Sequence, residues 1–111
     1  MSGSAYLSFS SVDLDQSAQQ VKSANGQVHG WFLSNTTSSK VYVKLYETSP
    51  SVGTTIPLVT LQVPANGSAN QEFLRGISFS SGIWAACTAS SAVSDTTDPG
   101  AGACIANIFY L

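Results

Sequence analysis

Two-residue alternation of apolar and polar side chains runs along most of this chain, and no stretch of eleven or more residues carries an apolar repeat of 3.6. A strand points successive side chains to opposite faces, so alternation marks a segment that buries one face and wets the other. A chain patterned this way has to build sheets and close them on a shared core. The clearest segment is Lys40–Glu47, where Val41, Val43 and Leu45 point one way and Lys40, Tyr42, Lys44 and Tyr46 the other. Gln27–Leu33 opposes Val28, Gly30 and Phe32 to His29, Trp31 and Leu33. Both of its faces are partly apolar, which suits an interior strand. Between these two, Asn35-Thr36-Thr37-Ser38-Ser39 reads as a turn, and the pair is expected to form a hairpin.

The flanks continue in kind. Ala5–Val12 and Ala18–Lys22 are weaker strands, with Asn25-Gly26 turning the chain before Gln27. Pro57–Val63, Asn70–Leu74, Ile77–Phe79, Ile83–Ala89 and Ala103–Tyr110 follow, Gly76 splitting the third from the second of these. Thr48–Thr55 and Ser90–Gly102 are loops. Seven to nine short strands in 111 residues indicate one all-β domain over residues 1–111, a single antiparallel β-sandwich. Jelly-roll and immunoglobulin-like connectivity both fit this spacing.

With 43% hydrophobic residues the chain can bury a core, yet only 9% of it is charged, against about 25% in an average domain. Its polar positions carry hydroxyls and amides, among them 19 Ser and 9 Thr. Such a surface can lie against another protein without desolvating many ions, the costly part of burying polar surface. Assembly is therefore the expected way of life. Net charge is −2, and the four cations, Lys22, Lys40, Lys44 and Arg75, are scattered. Nucleic-acid binding needs many phosphate contacts, so it is not expected. No apolar run approaches the roughly 20 residues that span a bilayer. Met1-Ser2-Gly3-Ser4-Ala5-Tyr6 has neither a basic nor an apolar signal region. Synthesis in a cytosol, with no membrane partner, is the expectation.

Few residues offer chemistry. His29 is the lone histidine and has no Ser or Asp beside it in sequence to make a nucleophile–base pair. No catalytic residue, cofactor or metal is expected, and the chain does not read as an enzyme. Asp95 and Asp98 lie in Asp95-Thr96-Thr97-Asp98-Pro99-Gly100, which lacks the spaced acids of a calcium loop and reads as a turn. Asp13 and Asp15 read the same way. Cys87 and Cys104 are the only cysteines. If the last two long strands pair as a hairpin centred on Asp95-Thr96, they stand opposite each other and can close a disulfide. The alternative is two small buried thiols in a protein of the reducing cytosol. Trp31 and Trp84 are assigned to the core. Tyr42 and Tyr46 are the candidate exposed pair, available to a protein partner or as a stacking platform for carbohydrate.

Four runs in order carry a resemblance: Val28-His29-Gly30-Trp31-Phe32-Leu33-Ser34-Asn35, Lys40-Val41-Tyr42-Val43-Lys44-Leu45-Tyr46, Gly76-Ile77-Ser78-Phe79-Ser80-Ser81-Gly82-Ile83-Trp84 and Asn107-Ile108-Phe109-Tyr110. They resemble small β-sandwich proteins of tailed-phage virion gene clusters over most of residues 20–111. The resemblance implies a capsid-decorating (cement) protein, commonly a homotrimer, bound to the major capsid protein on the outer face of the head. Cys87 and Cys104 stand where that family has small or aliphatic residues. A virion address follows, as does a partner interface at Tyr6, Phe9, Tyr42 and Tyr46. Ser2–Val12 is expected to be an extended arm or edge strand that can add to a partner's sheet, and its removal is expected to leave the fold intact. The alternatives are a lectin-like adhesion module and a tail or fibre component of the particle.

Overall fold

The computed structural model describes residues 5–111, and the alternating segments there become eight strands. They are β1 (Leu7–Ser11), β2 (Gln19–Lys22), β3 (Gly26–Asn35), β4 (Val41–Tyr46), β5 (Val59–Val63), β6 (Ser68–Phe79), β7 (Ile83–Thr88) and β8 (Cys104–Tyr110). One sheet has the order β1-β8-β3-β6 and the other β2-β7-β4-β5. All neighbours are antiparallel. The sandwich expected from the alternation is what forms, and β3, apolar on both faces, does lie inside its sheet.

Connectivity separates the two sandwich types. The first four strands pair with the last four in reverse: β1 with β8, β2 with β7, β3 with β6 and β4 with β5. Successive pairs go to alternate sheets, as when a long antiparallel ribbon is wrapped around a core. That is the jelly roll. Immunoglobulin connectivity keeps the first two strands in one sheet, whereas β1 and β2 lie in opposite sheets here.

The core is the inward half of the alternation, with one change: the register of β3 shifts at His29, so Val28 and Leu33, expected on opposite faces, both turn inward while Phe32 turns out. Val41, Val43 and Leu45 of β4 meet Val28 and Leu33 of β3, Val63 of β5, Phe79 of β6, Ile83 of β7 and Ile108 of β8. Leu14, from the β1–β2 connection, closes one end of the cluster. Each full burial contributes about 1.5–3 kcal/mol, and truncating Leu45 or Ile108 to Ala costs about 2–5 kcal/mol.

Two expectations are corrected. Gln27–Leu33 and Lys40–Glu47 do not form a hairpin, because β6 and β8 flank β3 while β5 and β7 flank β4. The chain between them crosses from sheet to sheet, and buried Asn35 fixes the crossing. Its Nδ2 donates to the carbonyls of Ser39 at 2.7 Å and Pro64 at 3.1 Å, and its Oδ1 accepts from Thr37 N at 2.9 Å. Secondly, Asn70–Leu74 and Ile77–Phe79 belong to one strand, β6, which bows out between them. Val28 pairs with Ile77 but Gly30 pairs with Glu72, so Phe73–Gly76 face the single residue His29. The N-terminal segment takes the second of its two expected forms, an edge strand, in regular register on β8 from Leu7↔Tyr110 to Ser11↔Ala106. Removing it would strip one side of β8 and the packing of Phe9, so the fold would not survive the deletion unchanged. Residues 1–4 of that segment lie outside the described residues.

Candidate assembly surface

The outer face of the β1-β8-β3-β6 sheet follows from pairing. Phe32 stands between Asn107 of β8 and Asn70 of β6; Phe109 between Gly30 and Ser8; Ile105 beside Ser34. Phe32 is 53% exposed and Ile105 36%. The rings of Phe32 and Phe109 meet edge to face, with centroids 5.3 Å apart and planes at 87°. Glycine at position 30 makes room for this pair, since a Cβ there would sit 2.5 Å from the Gln71 carbonyl oxygen and 3.3 Å from the Phe109 ring. Around the rings lie hydroxyls and amides, with Asn107 Nδ2 donating to Ser10 Oγ. Glu72, paired with Gly30, is the charge at the margin. An aromatic pair set in uncharged polar groups offers apolar area at small desolvation cost.

The other outer face is covered. Tyr46 is only 1% exposed and the Lys44 side chain is fully buried, so Tyr42 and Tyr46 do not form an exposed pair. Alternation assigns them correctly to the outside of β4, but loop chain lies over that side. Lys44 Nζ donates to the Ala92 carbonyl at 2.7 Å, pinning the 89–103 loop to the sheet. Burial lowers the Lys44 pKa against the opposing pull of Asp95, and burial raises that of Tyr46. Asp95 organises the same loop, accepting from Ser90 N at 2.9 Å and Thr97 Oγ1 at 2.7 Å. Those bonds, the Thr97 one foremost, hold its carboxyl below the usual range. Tyr42 stays half-buried, its hydroxyl donating to Gln62 Oε1 at 3.3 Å. With Ser38, Ser39, Lys40, Ser90 and Ser91 it lines an open hollow of about 480 Å³.

Tyr6 and Phe9 lie apart from Tyr42. Phe9 is half-buried against the core. Tyr6 stacks on His29, with centroids 4.5 Å apart, and its hydroxyl donates to the Phe73 carbonyl at 3.4 Å. His29 fills the bulge of β6, with Nε2 2.9 Å from Gln27 Oε1 and Nδ1 3.4 Å from the Phe73 oxygen. Its partners are an amide, a carbonyl and a phenol ring, which fix it in place.

Cys87 and Cys104 are free, fully buried thiols. They do not face each other across a hairpin, because β7 and β8 lie in opposite sheets. They meet instead across the core, where Leu14 N donates to Cys104 O at 3.0 Å and Cys87 N to Asp15 O at 2.7 Å. The hydrogen bond between the thiols, reinforced by burial, pushes the Cys87 pKa up. Asp13 and Asp98 accept from Gly102 N and Gly100 N, both at 2.8 Å. Among the described residues no three His, Cys, Asp or Glu side chains gather as metal ligands.

Sequence reasoning missed the Phe32–Phe109 face. The usable signal was Ser34 two residues after Phe32 and Asn107 two before Phe109. Compared with family models, curated proteins and solved structures, the chain gives no match.

Proposed function

We propose that this protein is a structural subunit of a larger particle, a capsid-decorating protein that lies on the outside of a phage head and braces neighbouring shell subunits. The observation that carries the reading is the Phe32–Phe109 face, an aromatic pair with Phe32 exposed and Phe109 half-buried, on a sheet whose surrounding side chains are hydroxyls and amides. Such a face suits burial against the major capsid protein, since little ionic hydration is lost there. Many copies, each with a modest contact, would together raise the cost of rupturing the shell. The family resemblance supplies the kind of particle. Image reconstruction of particles that carry the protein, with antibody labelling of the chain, tests this. Density for the sandwich on the outer head surface is expected; density confined to a tail or fibre, or none on any particle, would overturn it.

A carbohydrate-binding role is the second reading, favoured by the Tyr42 hollow, where a ring and several serines converge. Specific binding on a glycan array, lost in Tyr42→Ala, would establish it.

A further inference from the structure

A sandwich of two open sheets has four edge strands, and each exposes backbone N–H and C=O groups on which another strand can form. Natural sheets block such edges with lysines, prolines, bulges or short strands. Three edges of this protein are blocked in those ways. β2 has four residues, a register shift between Gln20 and Lys22, and the charge of Lys22. β5 has five residues, with Pro64 directly after it and Pro57 two residues before it. β6 is broken by the bulge at Phe73–Gly76 and carries Glu72 and Arg75.

β1 is as short as β5 but has no charge, proline or bulge. Leu7-Ser8-Phe9-Ser10-Ser11 contains no charge and no proline, and its register on β8 is unbroken. Alternate residues of an antiparallel edge strand point their backbone groups away from the sheet. Apolar side chains also remain open along this edge. Leu7 is 56% exposed, Val12 just beyond the strand is 75% exposed, and Phe9 is only half covered.

We infer that β1 pairs antiparallel with β1 of a second copy of this chain, joining two β1-β8-β3-β6 sheets into one eight-stranded sheet about a two-fold axis through Phe9. The strand is self-complementary in that register. Phe9 meets its own copy on the core side, and Leu7 lies opposite the partner's Ser11. Ser8 lies opposite the partner's Ser10 on the outer side, where hydroxyls can bond across the strands. Self-pairing of an uncharged strand brings no like charges together, whereas pairing β2 or β6 with itself sets a lysine, or a glutamate and an arginine, into the new seam. A two-fold edge contact yields pairs, so any trimer has to close through another surface. The inference does not depend on binding to a shell.

Cysteine placement tests the register. Mixing the Ser8→Cys protein with the Ser10→Cys protein under mild oxidation by oxidised glutathione should give a two-chain band on non-reducing gels, abolished by dithiothreitol. Residues 8 and 10 of opposite copies are direct neighbours, so the mixture should cross-link at least about tenfold faster than either variant alone. In the doubly substituted S8K/S10K protein, like charges face each other at both positions. Its sedimentation should lose the species formed by edge pairing while its denaturation midpoint stays near that of the wild type. A wild-type chain that stays monomeric up to about 1 mM would overturn the inference. So would association that S8K/S10K leaves intact, or cross-linking no faster in the mixture than in the separate variants.

Discussion

Phe32→Ser separates the stability of the fold from the strength of assembly. A phenylalanine buries roughly 150–250 Å² when fully covered. Since Phe32 is 53% exposed, about 100 Å² of ring remains for a partner to cover. At about 25 cal/mol per Å² that area contributes about 2.5 kcal/mol to a contact that buries it fully, or about 70-fold in Kd. Within the chain the substitution removes the half already packed, including the edge-to-face contact with Phe109, at a cost of about 1–2 kcal/mol. Two assays read these terms apart: urea denaturation of the free protein, and titration of labelled protein against capsids that bind the wild type. A denaturation midpoint shifted as expected, with capsid affinity within about threefold of wild type, would refute the assignment of this face.

Asn35→Ala should destabilise the fold by about 2–3 kcal/mol, since it leaves the Ser39 and Pro64 carbonyls and the Thr37 amide without their partner at a buried crossing; thermal denaturation measures it. Lys44→Met keeps the aliphatic stem and removes an ammonium that burial disfavours. Stability at neutral pH should hold or rise by about 1 kcal/mol, while limited proteolysis cuts the 89–103 loop faster once the Ala92 carbonyl loses its donor. Tyr46 stays neutral in the fold to a higher pH than in the unfolded chain, where it ionises near 10.0. Its contribution is therefore fully present below that value and lost as pH rises through it. Tyr46→Phe should reduce the loss of thermal stability between about pH 8 and about pH 10.5, and an unchanged alkaline loss would show that other groups set it.

Alternation made the strands legible, because the side on which Val41, Val43 and Leu45 lie depends only on two-residue spacing. It also placed β3 inside a sheet. Partner choice was not legible. Asn35–Ser39 has the composition of a turn whether its flanking strands pair or part, and the real partners of β3 begin 33 residues further on at Ser68. Exposure was legible only up to the first layer. Lys44 and Tyr46 face outward from β4 as their spacing requires, yet loop chain covers that side, and no local pattern announces a loop folded back from 89–103. Phe32 went the opposite way. Two-residue spacing sets it on one face with Val28, but β3 shifts register at His29, so Val28 turns to the core and Phe32 to the wet side beside Asn70 and Asn107.

The place of β8 governs how the molecule can come into being. It is made after the other seven strands, and it sits between β1 and β3, so β1 has no seat in the sheet until Cys104–Tyr110 have emerged. The pairing of β2 with β7 likewise joins early strands to late ones, the sort of long-range closure that slows folding. A nascent copy must therefore carry the unguarded β1 loose while all seven later strands are made. Crowded polysomes, where many such strands wait side by side, are where this protein would be most prone to find the wrong neighbour.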